Sequence, residues 1–111
     1  MRLEVEKYLQ DILDACIRLV EFTGGKSYED YRADSMLRAA VERQFEIDGE
    51  ALNRLSQLAP EVAEHVTDRR RIIAFRNLLV HGYADIDDRV VWGVVETKLE
   101  ALVREVRELL E

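Results

Sequence analysis

Apolar residues recur at alternating spacings of three and four over long stretches of this sequence, and this periodicity constrains the fold more than any other feature. Such spacing places apolar side chains on one side of an α-helix, whereas a half-buried strand needs strict alternation. The apolar positions are Val5, Leu9, Ile12, Cys16 and Leu19 in the first stretch, Leu37, Val41, Phe45, Leu52 and Leu55 in the second, and Val91, Val95, Leu99, Leu102, Val106 and Leu109 in the last. The pattern predicts three long amphipathic helices.

Glycine, proline and capping residues predict where the helices begin and end. The expected elements are a helix over about residues 2–22 that ends at Gly24 and Gly25, a short turn capped by Ser27, a helix from Asp34 or Ser35 to Leu58, a short turn from Pro60, a helix from Asp68 to about Gly82, and a final helix from Asp87 or Asp88. Short loops imply antiparallel neighbours. The expected fold is therefore all-α, an up-and-down bundle of four to five helices in one domain over residues 1–111.

Charge and composition limit the classes of function. The net charge of -7 gives no global positive field, so we expect no DNA binding and only local contact with RNA. The single cysteine, Cys16, cannot form an internal disulfide, and no apolar run approaches the roughly 18 to 20 residues of a membrane span. The first ten residues, MRLEVEKYLQ, contain charges where a signal peptide needs an apolar stretch. We expect a cytoplasmic protein with no membrane partner.

Two charged residues interrupt the apolar faces. In helical projection Arg76 lies about 40° from the apolar Ile72, and Asp48 lies about 20° from Leu37 at the centre of the second stripe. A charge buried alone is costly, so each side chain needs a polar partner. Two interpretations stay open: a structural ion pair between Arg76 and Asp48, or a functional cleft. Gly49, in mid-helix, costs about 1 kcal/mol relative to Ala and indicates a close contact with another helix.

A histidine near the end of the same predicted helix bears on these alternatives. His81 follows Arg76 by five positions, about 140° around a straight helix, so both reach one point only if the helix frays and the chain turns at Gly82. A histidine there can simply cap the helix. Beside Arg76 and Asn77, however, it can also form a phosphate site that needs no metal. His65 has no His or Cys partner at ligand spacing and is interpreted as a surface residue.

Two segments carry a resemblance to a known family. Residues 76–83, RNLLVHGY, match the R-x4-H-x-Y signature of HEPN-domain toxins, and residues 70–92 together with AVERQFEIDGEALNRL at 40–55 resemble the HepT-like branch. The resemblance implies a dimeric α-helical bundle in which the two motifs meet in a cleft between subunits. It also implies a metal-independent endoribonuclease without a cofactor. Such proteins are toxins of type VII toxin-antitoxin systems, paired with an MNT-type nucleotidyltransferase antitoxin.

The resemblance assigns roles to individual residues. Arg76 and His81 correspond to the catalytic residues, and Tyr83 corresponds to the tyrosine that the antitoxin modifies with AMP. Asn77, next to Arg76, and Asp48, its possible counter-ion, are supporting candidates from the residue pattern itself. Asp48 stands where relatives usually have an aliphatic residue before GEA, so this position departs from the family pattern. The implied partners are RNA, a second copy of the chain and the antitoxin, with which the dimer can form a larger hetero-oligomer.

The expected reaction is attack of an RNA 2′-hydroxyl on the adjacent phosphate. His81 would act as general base, or as acid from the partner subunit, while Arg76 stabilises the developing charge. Unpaired RNA suits this reaction because the hydroxyl must move into line with the leaving oxygen. Arg69, Arg70 and Arg71 precede Arg76 and form either a strip that binds the RNA backbone or a solvated helix start.

Two other classes of function stay open from the sequence. The chain could be a non-catalytic helical module that helps a nucleotidyltransferase hold its substrate or nucleotide. It could also be an inactive scaffold subunit. The presence of Arg76, His81 and Tyr83 at the motif spacing favours the toxin, because a scaffold would not need all three.

Overall fold

A computed structural model of the chain describes residues 1–82 and 86–111. Within these ranges the chain forms α-helices and no strands, which confirms the all-α prediction. The helices are α1 (Leu3–Thr23), α2 (Tyr28–Ala33), α3 (Ser35–Leu58), α4 (Pro60–Ala63), α5 (Arg69–His81), α6 (Asp88–Thr97) and α7 (Leu99–Leu110). None of the helices in the described ranges has the length and apolar character that a membrane crossing requires.

The four longest helices, α1, α3, α5 and α7, form the bundle. Helix α3 packs against both α1 and α5, and α7 packs against α1. The apolar stripes meet between these helices, where Leu9, Leu52 and Leu102 are at most 2% exposed. The rings of Phe45 and Phe75 meet edge to face at 5.3 Å between their centroids and join α3 to α5. The helix that carries the candidate motif is therefore fixed to the second long helix.

Side-chain caps set several of the helix boundaries at the predicted positions. Ser27 and Asp30 form a reciprocal capping box at the start of α2. Asp34 accepts a hydrogen bond from the backbone N–H three residues on, at 3.0 Å, and Asp87 accepts one from the N–H two residues on, at 2.9 Å. Asp68 occupies the N-cap position of α5, but its side chain makes no capping hydrogen bond. Its carboxylate instead lies 3.6 Å from Nζ of Lys98.

The last stretch of the chain differs from the sequence expectation of one continuous helix. The structure divides it at Lys98 into α6 and α7. Near the division, the Thr97 hydroxyl donates to the carbonyl of Gly93 at 2.6 Å. A threonine that bonds the carbonyl four residues back tends to bend a helix. The apolar period continues through the break, which explains why the pattern alone predicted a single element.

Candidate functional site

Helices α3 and α5 approach closely where Gly49 faces Arg76. A Cβ atom built on Gly49 would lie 2.7 Å from Cγ of Arg76 and 3.2 Å from the carbonyl oxygen of Ile72. A side chain at this position would overlap α5, so the contact requires glycine. This confirms the close helix contact predicted from the mid-helix glycine. It also presses the aliphatic part of Arg76 against α3.

The guanidinium of Arg76 has two polar partners. Its Nη2 lies 2.5 Å from Oε2 of Glu50, and its Nη1 donates to Oδ1 of Asn77 at 2.8 Å. The Arg76 side chain is 24% exposed, so the charged end reaches solvent while the stem is covered. Glu50 also accepts a hydrogen bond from Nε of Arg54 at 2.9 Å. Arg76, Asn77, Glu50 and Arg54 thus form one polar cluster, named here the Arg76 cluster.

The ion pair between Arg76 and Asp48, one of the two interpretations that the sequence left open, is not observed, because Glu50 takes that place. Two residues turn a helix by about 200°, so Asp48 and Glu50 lie on nearly opposite sides of α3. Asp48 faces α1 and Glu50 faces the edge of α5. Glu50 is a site residue that sequence reasoning missed. The available signal was its position directly after Gly49, the residue that marks the contact with α5.

Asp48 is a core residue rather than a member of the Arg76 cluster. It is 0% exposed, and Sγ of Cys16 lies 3.5 Å and 3.7 Å from its two carboxylate oxygens. Burial raises the pKa of Asp48 well above its ordinary value, which favours the neutral acid. The pKa of the Cys16 thiol is also raised. Burial is the main cause, and the neighbouring Asp48 carboxyl adds to it. The cysteine is unpaired, as the sequence predicted.

His81 lies at the end of α5, apart from the Arg76 guanidinium. The helix extends through His81, and the N–H of Gly82 bonds to the carbonyl of Leu78 at 2.7 Å. The fraying that would let His81 and Arg76 converge within one chain is therefore not observed. On a regular helix the two side chains leave the axis about 140° apart and about 7.5 Å along it. His81 is exposed, and Tyr83 lies outside the described residues.

The three consecutive arginines occupy the first turn of α5. Arg69 is half-buried, whereas Arg70 and Arg71 are exposed, and all three line a shallow groove of about 330 Å³. Arg69 precedes Arg76 by seven residues, or about two turns, so the two lie on the same side of α5 about 10 Å apart along its axis. This geometry would suit a basic track leading to the Arg76 cluster. His65 is exposed, as predicted.

A second, larger groove lies away from these residues. It has a volume of about 770 Å³, lies between α1 and the helices α6 and α7, and contains apolar side chains such as Ile17, Val20 and Val103. None of the predicted site residues that the structure describes lines it. Within residues 1–82 and 86–111, no cluster of three or more His, Cys, Asp or Glu side chains is arranged to hold a metal ion.

Comparison with known proteins gives consistent matches over nearly the whole chain. Residues 12–109 match the family model described as "Ribonuclease HepT-like". A protein of Caldanaerobacter subterraneus subsp. tengcongensis named "Putative RNase" is 33% identical, over 94% of this chain and 92% of that protein. A "Probable ribonuclease HepT" of Thermococcus cleftensis is 33% identical, over 92% of each chain. No solved structure matches the chain significantly.

Proposed function

The chain belongs to the HepT-like ribonuclease family of HEPN proteins, and we propose that it is a metal-independent endoribonuclease that acts as the toxin of a type VII toxin-antitoxin pair in the cytoplasm. One observation carries this proposal: the Arg76 guanidinium is anchored at the α3–α5 contact yet open to solvent. An arginine in that setting can bind a phosphate through two parallel hydrogen bonds. The exposed His81 on the same helix can supply the proton transfer.

The divergence of Arg76 and His81 around α5 supports a site built from two chains. In a two-fold dimer that pairs the α5 helices, Arg76 of one chain can face His81 of the partner subunit. Apolar exposure on α5 is consistent with such an interface, since Leu78 is 46% exposed and Val80 is 36% exposed. A closed two-fold dimer is the commonest way to cover a surface of this kind.

The proposed chemistry is an internal transfer within the RNA. His81 accepts the proton of the 2′-hydroxyl as its oxygen forms a bond to the adjacent phosphorus. The bond from phosphorus to the 5′-oxygen then breaks, and that oxygen receives a proton from His81 of the partner subunit. Arg76 stabilises the extra negative charge on the phosphate oxygens in the transition state. The products are a 2′,3′-cyclic phosphate and a 5′-hydroxyl.

The direct test is incubation of purified protein with unpaired RNA in EDTA. Wild type should yield 2′,3′-cyclic phosphate ends, and Arg76→Ala and His81→Ala should each abolish cleavage while retaining the helical circular dichroism spectrum. His65→Ala is the matched control, because it removes the other, exposed histidine. Loss of wild-type cleavage in EDTA would refute metal independence. Intact RNA under all conditions would instead favour a non-catalytic partner of a nucleotidyltransferase.

We further propose that an MNT-type nucleotidyltransferase antitoxin silences the ribonuclease by modifying Tyr83. The phenol oxygen would attack the α-phosphate of ATP, forming the tyrosyl-AMP bond and releasing pyrophosphate. The position of Tyr83 two residues after His81 supports this, because an attached phosphate and nucleoside would oppose RNA binding there. Co-expression of Tyr83→Phe with the antitoxin should leave toxicity intact and add no AMP mass. Full rescue of growth, or an AMP mass gain on the variant, would exclude Tyr83 as the controlling site.

A further inference from the structure

The carboxylate of Glu50 is shared between two arginines. Its Oε2 lies 2.5 Å from Nη2 of Arg76, and its Oε1 accepts a hydrogen bond from Nε of Arg54 at 2.9 Å. Arg54 is one turn along α3 from Glu50, whereas Arg76 reaches it from α5. One carboxylate thus forms ion pairs with guanidinium groups from two helices, and the three groups together keep a net positive charge.

A carboxylate bound to a guanidinium occupies the same N–H donors that a phosphate would use. Arg76 has five N–H donors, but Glu50 at Nη2 and Asn77 at Nη1 both compete with an RNA phosphate for two parallel hydrogen bonds from the guanidinium. The negative charge of Glu50 would also repel a phosphate placed beside it. A phosphate that binds Arg76 through two hydrogen bonds therefore competes with Glu50.

We propose that Glu50 is a displaceable counter-ion, which orients Arg76 when no RNA is bound and is retained by Arg54 alone once a phosphodiester takes its place. The inference rests on the proposed function, in which Arg76 binds the scissile phosphate. Arg54 lowers the free-energy cost of the exchange, because Glu50 keeps one charged partner throughout. The Glu50 side chain is 38% exposed, so water can form hydrogen bonds to the carboxylate oxygen that leaves Arg76. Glu50 and Arg54 are positioning residues, since they act through Arg76.

The test measures binding separately from cleavage. A 2′-O-methyl RNA oligonucleotide lacks the attacking hydroxyl, so its dissociation constant can be measured by fluorescence anisotropy at one fixed salt concentration. Glu50→Gln should bind this oligonucleotide about two- to fivefold more tightly than wild type, equivalent to about 0.4 to 1 kcal/mol. Arg54→Ala should bind it at least about twofold more weakly, because Glu50 then has only Arg76 as a partner.

The double variant distinguishes an indirect role of Arg54 from direct RNA contact. If Arg54 acts through Glu50, adding Arg54→Ala to Glu50→Gln should change the dissociation constant little. Equal weakening by Arg54→Ala in both backgrounds would show that Arg54 contacts RNA itself and would overturn the exchange. Cleavage of ordinary RNA, measured in parallel, tests the ribonuclease independently: binding without cleavage would refute the proposed function but not the exchange.

Matched controls lie on the same helix. Glu46 and Arg43 form their own ion pair at 3.5 Å, with side chains 26% and 68% exposed. Glu46→Gln and Arg43→Ala alter the net charge as Glu50→Gln and Arg54→Ala do, so they report the general electrostatic effect on RNA binding. Glu50→Gln should bind RNA more tightly than Glu46→Gln. Equal affinities for these two variants, or no binding by either wild type or Glu50→Gln, would overturn the inference.

Discussion

Replacement of Asp48 by Asn is expected to remove a large part of the pH dependence of folding stability. Asp48 is 0% exposed and contacts the Cys16 thiol in the core. Burial raises the pKa of its carboxyl well above the ordinary 3.8. The folded chain therefore binds the Asp48 proton more tightly than the unfolded chain does. Asn has nearly the same shape as the neutral acid but cannot lose a proton.

The sign and slope of the effect follow from proton linkage. Below pH 3.8, the ordinary value, both folded and unfolded chains carry the proton, and the stabilising contribution is fully present. As the pH rises above this value, the unfolded chain releases the proton while the folded chain keeps it. The free energy of unfolding then falls by about 1.36 kcal/mol per pH unit until the raised folded-state pKa is reached. Two pH units within this window cost about 2.7 kcal/mol, a large share of the roughly 5 to 15 kcal/mol of a typical domain.

The assay is urea unfolding of wild type and Asp48→Asn, followed by circular dichroism at a series of pH values from 4 upward. The difference between their unfolding free energies should grow in favour of Asn at the slope given above and then level off. Subtraction removes contributions shared by both proteins, such as that of Glu42, whose pKa is also raised. Asp14→Asn, which removes a half-buried carboxylate on α1, controls for net charge. A difference that stays constant with pH would refute the reasoning.

Three further predictions concern Gly49, Cys16 and the oligomeric state. Gly49→Ala should lower the free energy of unfolding by about 1 kcal/mol, because overlap with Arg76 outweighs the gain in helix propensity. It should also reduce RNA cleavage. An unchanged urea-unfolding curve together with unchanged cleavage would contradict this prediction. The Cys16 thiol is buried and its pKa is raised, so it should react with a disulfide reagent only after unfolding. Rapid stoichiometric labelling of the native protein would contradict the burial of this thiol. Sedimentation should detect a dimer at micromolar concentration, and a stable monomer would contradict the two-chain site.

Residue patterns along the chain predicted most of the helices, except the division between α6 and α7, and most of the candidate residues, except Glu50. The spacing of Val5, Leu9 and Ile12 predicted a helix because residues at intervals of three and four lie on one side of an α-helix. Asp34 and Asp87 predicted helix starts, since their oxygens can satisfy backbone N–H groups within the same few residues. The RNLLVHGY segment identified the family, and residues 12–109 match its model. These features depend on neighbours in sequence, which the sequence itself specifies.

The partners of the charged residues depended on how the helices pack. A helical projection correctly placed Asp48 inside the bundle, yet it could not show that the opposing group is the Cys16 thiol of α1. It also could not show that Arg76 meets Glu50, because that pairing depends on where α3 crosses α5 at Gly49. Periodicity determines which side of a helix is buried, whereas the crossing point and separation of two helices arise from the fit of many side chains at once. The tertiary structure therefore decided the composition of the Arg76 cluster.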